Sequence, residues 1–339
     1  MPRPRTIVAA AAGAMLALLA GVALYGWTVV NRPGPPFLDP VVVDIPPGYR
    51  SEQIVDALIR QGVLSNRPVS LAYLYFSPYR GRLQAGEYQF DEPLDVRAVF
   101  EMLATGNVRL HAFTVPEGLR VDQVADRWEA AGFGTRDAFL EAAANAMGQI
   151  RRIDPDAVSA EGYLFPETYM FRRAVTAAEA VTAMIGGLED ALARLRETTP
   201  EASWPLDVHD MLVMASLVEG EAAHADERPV ISSVFHNRLD RNMRMECDPT
   251  VIYALVLADQ YRGRLLRADL TFDSPYNTYR YAGLPPGPIS SPGFDSMRAA
   301  IAPGESDFIF FVRTEGGRHA FSRTLAEHNR NVAAYRRMQ

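Results

Sequence analysis

A stretch of twelve residues occurs twice in this chain, and nothing else in it constrains the fold as strongly. Ile45-Pro-Pro-Gly-Tyr-Arg-Ser-Glu-Gln-Ile-Val-Asp56 is matched at a constant offset by Val115-Pro-Glu-Gly-Leu-Arg-Val-Asp-Gln-Val-Ala-Asp126. Pro46 and Pro116, Gly48 and Gly118, Arg50 and Arg120, Gln53 and Gln123, Asp56 and Asp126, and Gly62 and Gly132 coincide. Each copy reads as an alternating strand (Val41 to Ile45; His111 to Val115), a Pro-Gly turn, then an amphipathic helix. Ile54, Val55, Leu58 and Ile59 form the apolar stripe of the first helix; Val121, Val124, Ala125 and Trp128 form that of the second. Gly86-Glu-Tyr-Gln-Phe90 supplies a closing strand for the first copy, and Glu161-Gly-Tyr-Leu-Phe-Pro-Glu-Thr-Tyr169 is the tail of the second. The fold class expected is therefore α+β.

Ahead of the repeat, Ile7 to Val30 runs for 24 residues without a charge. That is long enough to cross a bilayer and longer than the apolar part of a cleaved signal. Arg3 and Arg5 precede it and only Arg32 follows closely, which puts the N-terminus in the cytoplasm and the rest outside. Tyr25 and Trp27 fall where an aromatic belt belongs, and Pro33-Gly-Pro-Pro36 is a stiff spacer. The boundaries expected are a cytoplasmic tail at 1–6, a transmembrane anchor at 7–30 and a linker at 31–40. A first module follows at 41–108 and a catalytic domain at 109–339, of which 109–160 is the repeat-like entry. All 34 basic residues are Arg, so Walker, Schiff-base and Ser-x-x-Lys chemistries are excluded. A net charge of −7 gives no support to nucleic-acid binding. The lone Cys247 cannot form an intrachain disulfide.

Candidate chemistry begins at Met211-Leu-Val-Met-Ala-Ser-Leu-Val-Glu-Gly-Glu221, an apolar run that ends in carboxylates. A helix apolar around its circumference is a buried one, and a carboxylate at its end loses solvation, which disfavours the charged form. A carboxyl that keeps its proton is what glycosidic cleavage needs as general acid. The plainer reading is an exposed Glu219 on a helix stopped by Gly220. Downstream stand Asp226-Glu-Arg-Pro-Val-Ile-Ser-Ser-Val-Phe-His-Asn-Arg-Leu239, Asp248-Pro-Thr-Val-Ile-Tyr253, Ser274-Pro-Tyr-Asn-Thr-Tyr279, Gly283-Leu-Pro-Pro-Gly-Pro-Ile-Ser290 and His319-Ala-Phe-Ser-Arg-Thr-Leu-Ala-Glu-His-Asn329. In this order the motifs resemble the endolytic murein transglycosylase family, also called MltG or YceG-like, over nearly the whole chain.

The resemblance implies a membrane-anchored enzyme that cuts peptidoglycan strands internally, with Glu219 catalytic. It implies a lyase that cleaves the β-1,4 bond after N-acetylmuramic acid, leaves 1,6-anhydro ends and needs no cofactor. Peptidoglycan synthases (penicillin-binding proteins) at the inner membrane would be its partners. The first module, strand–helix–helix–strand, resembles a LysM unit, either a glycan binder or a spacer. Glu221 lies about 200° around the helix from Glu219 and reads as structural. Asp248 reads as the N-cap of a helix from Thr250 to Leu257 and also as a site wall. Asn237, Tyr253, Tyr276, Asn277 and Thr278 are the further candidates for substrate contact; Asn237 and Arg238 could instead brace the helix from Val230 to Leu239, the reading preferred for Arg238. Two departures from the family pattern are Met245-Glu-Cys-Asp248, which adds Glu246 near the cleft, and Ser291. No histidine spacing suits a metal, and Cys247 reads as a small buried hydrophobe rather than a nucleophile. Two alternatives stay open: a muramidase in which Asp248 or Glu246 activates water, and a non-catalytic glycan-binding scaffold.

Overall fold

The computed structural model describes residues 4–337, so Arg3, half of the basic pair that orients the anchor, lies outside it. Helix α1 (Pro4–Val30) contains a window, Ala12–Val30, long and apolar enough to cross a membrane and not buried by the rest of the chain. The chain divides into two compact units, residues 1–111 with 170–174 and residues 112–169 with 175–339. Helices with three small two-stranded sheets make the molecule α+β.

In the first unit the order is β1 (Val41–Ile45), α2 (Ser51–Arg60), α3 (Arg67–Phe76), β2 (Gly86–Phe90) and α4 (Val96–Thr105). β1 and β2 pair antiparallel with Val43 opposite Tyr88. Alternation puts Val43, Ile45, Tyr88 and Phe90 on one face, where Ile54, Val55 and Leu58 of α2 and Val99, Phe100 and Leu103 of α4 cover them. The Tyr88 hydroxyl, buried with them, donates to the carbonyls of Gln84 and Leu103, which satisfies the one polar atom on that ring.

Strand β3 (Leu110–Thr114) leads from the first unit into the second and pairs with β4 (Thr168–Arg172). Between them lie α5 (Val121–Ala130), α6 (Arg136–Asn145) and α7 (Met147–Ile153). After β4 come α8 (Ala177–Thr198), α9 (Val208–Glu221), α10 (Arg228–Asp240), α11 (Asp248–Leu257) and α12 (Phe294–Ile301). A hairpin, β5 (Phe310–Arg313) and β6 (His319–Ser322), and α13 (Leu325–Arg336) complete the unit. The apolar α9 has every residue from Met211 to Val218 buried, packed against α10, α11 and α12. Its one hydroxyl is placed to use: Ser216 Oγ donates to the Val213 carbonyl and accepts from Ile289 N–H, pinning the proline-rich loop to the helix.

The two copies of the repeat fold alike. Gly48 and Gly118 both take left-handed φ, 83° and 76°, in the turn, which only glycine adopts without strain. Gln53 Oε1 accepts from Arg50 N–H at 2.8 Å, and Gln123 Oε1 from Arg120 N–H at 3.0 Å, closing both helix starts in one way. Asp56 pairs with Arg67 at 2.6 Å and Asp126 with Arg136 at 2.8 Å, each tying the first helix of its copy to the start of the second.

Two helix boundaries differ from the sequence reading. α9 continues through Gly220, which does not stop it. α11 begins at Asp248 itself, with Cys247 as N-cap, so the Asp248 carboxylate caps nothing and instead accepts the Tyr279 hydroxyl at 2.7 Å.

Candidate active site

Glu219 stands in the last turn of α9 with its side chain 7 % exposed. Burial was the expectation, but its surroundings are polar rather than apolar. Arg228 Nη2, at the start of α10, donates to Oε1 at 3.1 Å. Gly293 N–H and Ser296 Oγ, at the start of α12, donate to Oε2 at 3.0 and 2.7 Å. Arg228 Nε also donates to Ser296 Oγ at 2.9 Å, which fixes the direction of the serine hydrogen toward Glu219. All three partners are donors, as a carboxylate requires. Oε2 is held by two of them, and Oε1 has Arg228 alone.

A second carboxyl reaches the same guanidinium. Glu117 Oε2 lies 3.3 Å from Arg228 Nη2, the nitrogen that also serves Glu219. A methyl group at Gly293 would overlap the Glu117 carboxyl, which lies directly against the backbone that holds Glu219. Burial first, and the Glu219 charge second, push the Glu117 carboxyl above its ordinary value, with Arg228 opposing them. Its turn is fixed by backbone pairing: Gly118 N–H donates to the Ser291 carbonyl, and Ser291 N–H to the Leu119 carbonyl, both at 2.8 Å. The second carboxyl near Glu219 is thus Glu117, not Glu221, Asp248 or Glu246. Helix periodicity around α9 could not reveal Glu117, because it arrives from a distant turn.

Glu221 faces elsewhere. It lines a cavity of about 670 Å³ with Glu246, Asp248, Tyr279, Arg313 and His319. Burial pushes its carboxyl up to about 7 and the neighbouring Asp248 charge adds to this, while bonds from the Cys247 thiol and the Asp248 backbone oppose it. Cys247 is fully buried and burial pushes its thiol up, so the reactive thiolate is disfavoured there. Glu246, with φ at 52°, turns its carboxylate to Arg238 at 3.4 Å. Among the described residues no cluster of three or more His, Cys, Asp or Glu is placed to hold a metal ion.

The loop residues expected to meet sugar divide into two groups. Asn277 is wholly buried, its amide donating to the carbonyls of Leu270 and Phe272 and its oxygen accepting from Tyr279 N–H. Thr278 is 2 % exposed and bonds Cys247 N–H and the Thr250 hydroxyl. Both are corrected to loop-building residues, since neither presents a free polar atom to a ligand. Asn237 donates to the carbonyls of Ser306 and Phe308, and Arg238 to those of Ile309, Arg244 and Met245, so both brace. Tyr253 is buried, with its hydroxyl on Glu161 and its ring edge against Tyr276 at 4.9 Å. Tyr276, half-buried, and Asp248, exposed, keep a surface, the latter in the Glu221 cavity. Ser291 is fully buried and serves through its backbone, its hydroxyl having no partner.

Comparison with known proteins gives this site its context. The YceG-like family model matches residues 43–334. A curated relative from Bacillus subtilis (strain 168), named endolytic murein transglycosylase, is 32% identical over 94% of this chain and 91% of its own length. One of the same name from Streptococcus pneumoniae serotype 2 is 28% identical over 87% of this chain but 58% of its own length. A crystal structure of a YceG-like protein from Listeria monocytogenes superposes with a TM-score of 0.59 at 32% identity, covering 86% of this chain and 99% of that one. With a family match spanning most of its length, the chain belongs to the YceG-like family.

Proposed function

We propose that this protein is an endolytic peptidoglycan lytic transglycosylase with Glu219 as its catalytic acid and base. The observation that carries the reading is the setting of Glu219, a buried side chain with Oε2 anchored by two donors and Oε1 held by Arg228 alone. The relatives' printed name, endolytic murein transglycosylase, supports the substrate class. Glu219 gives its proton to the leaving glycosidic oxygen as the bond to the anomeric carbon breaks. The 6-hydroxyl of the same N-acetylmuramic acid then bonds that carbon and returns its proton to Glu219. No water enters, and one residue serves at both stages. The attacking hydroxyl is tethered to the reacting ring, which gives it a high effective molarity.

A hydrolytic reading would now look to Glu117 for activation of water, because Asp248 and Glu246 face the Glu221 cavity instead. Product analysis separates the two. Wild-type digests should carry 1,6-anhydro ends by mass spectrometry, and Glu219→Gln should lose cleavage by about 10²–10⁴-fold or more while keeping its melting curve. Reducing N-acetylmuramic acid ends would overturn the lytic assignment, and an active Glu219→Gln would overturn the acid.

The apolar α1 supports a single-pass anchor in the inner membrane, with the N-terminus cytoplasmic and the chain after α1 periplasmic. A reporter active only in the cytoplasm, fused to the C-terminus, should stay silent; activity there would reverse this orientation. The β1–α2–α3–β2 unit suits a LysM-like glycan holder. Such an enzyme would act beside peptidoglycan synthases and end the growth of nascent strands.

A further inference from the structure

Arg228 presents one Nη2 to two carboxyls, Glu219 at 3.1 Å and Glu117 at 3.3 Å. One guanidinium charge cannot neutralise two carboxylates. A Glu219 paired with Arg228 alone would be a well-satisfied ion pair, reluctant to take up the proton that its acid role requires. We propose that Glu117 is a positioning residue for Glu219: by holding part of the Arg228 charge, it leaves Oε1 of Glu219 able to carry the proton.

Independent features of the geometry agree. The backbone of the turn that carries Glu117 is fixed by the two bonds of Gly118 and Leu119 to Ser291. Gly293, where a Cβ would overlap the Glu117 carboxyl, leaves the space it occupies. Its own side chain is 48 % exposed, so it can exchange protons with solvent, whereas Glu219 is at 7 %. The charged groups that face Glu117 are Glu219 from α9, Arg228 from α10 and Asp295 from α12. Two of the three are acids, which concentrates negative charge around a single cation.

The inference rests on Glu219 being the acid, and the test separates the two claims. Cleavage of purified glycan strands by the full-length protein in detergent is measured across the pH range for wild type, E117Q, E117D and E219Q. E117Q should displace the alkaline limb of kcat/KM toward acid by about one unit, making it roughly tenfold slower above that limb and near wild type well below it. E117D keeps the charge and should restore part of the displacement. Should the amide disturb the turn, E117P carries the same test, since the first repeat copy already has Pro47 there. A uniform loss at every pH, or an unmoved profile, overturns the role of Glu117 if E219Q is inactive. An active E219Q overturns the underlying assignment instead.

Discussion

The two copies of the repeat have the same local structure and different surroundings. Turn glycine, glutamine-closed helix start and Asp–Arg tie recur in both. In the first copy the turn is open to solvent: Pro47, Gly48, Tyr49 and Arg50 are all exposed. In the second, Gly118, Leu119 and Arg120 are partly covered, and the residue equivalent to Pro47 is Glu117, which reaches Arg228. Helix α5 also has a partner that α2 lacks among the described residues: the buried Glu161 accepts from Val121 N–H at 3.1 Å. The repeat therefore specifies a scaffold, and what that scaffold does is decided by single residues at its turn and by what packs over it.

The sharpest way to break this comparison is to exchange the turns. Glu117→Pro makes the second turn resemble the first, whose backbone, with similar φ at its glycine, accepts Pro at that place. Cleavage should fall roughly tenfold above the alkaline limb, with the melting curve little changed. The reciprocal Pro47→Glu places a carboxylate on an exposed turn, and both rate and melting temperature should stay at wild type. Equal losses from the two exchanges would show that the first turn is functional in its own right.

Local spacing made the repeated elements legible, because turn glycines, helix stripes and closing glutamines act over a few residues. The β5–β6 hairpin is local in the same way, with its strands on either side of Glu315-Gly-Gly317. The convergence on Glu219 was not legible, since Glu117, Arg228, Gly293 and Ser296 come from separate segments and meet only after packing. One clue was present: an acid stands in the second turn where its repeat partner is Pro47. Asn277 and Thr278 were misread because polar loop residues suit either sugar or the loop's own backbone. Here the buried carbonyls and N–H groups of an irregular segment needed partners, and these side chains supply them. Asp248 was misread as a cap for want of one fact: the helix starts one residue after Cys247, which puts the Asp248 side chain beyond the capping position.

The smaller difference between the copies can be tested through pH. Burial pushes the Glu161 carboxyl from its ordinary 4.5 up to about 8; the Asp122 charge adds to this, while Val121 N–H, Arg120 and the Tyr253 hydroxyl oppose it. Between those values the folded protein keeps a proton that the unfolded chain releases. The folded state then binds more protons than the unfolded, so stability falls as pH rises from about 4.5 toward 8. Glu161→Gln removes the titration and keeps an oxygen for Val121 N–H. At pH 8 the variant should melt higher than wild type by roughly 3 °C or more, with the gap closing toward pH 5. Glu221, raised to about 7, gives a slope of the same sign in both proteins. The difference between them, rather than either slope, is therefore the reading that reports on Glu161. Glu161 contacts neither Arg228 nor Glu219, so cleavage should be unchanged where both proteins are folded. A gap that stays constant from pH 5 to 8 would mean that Glu161 is ionised in the fold and that α5 is held by a charge rather than by a neutral acid.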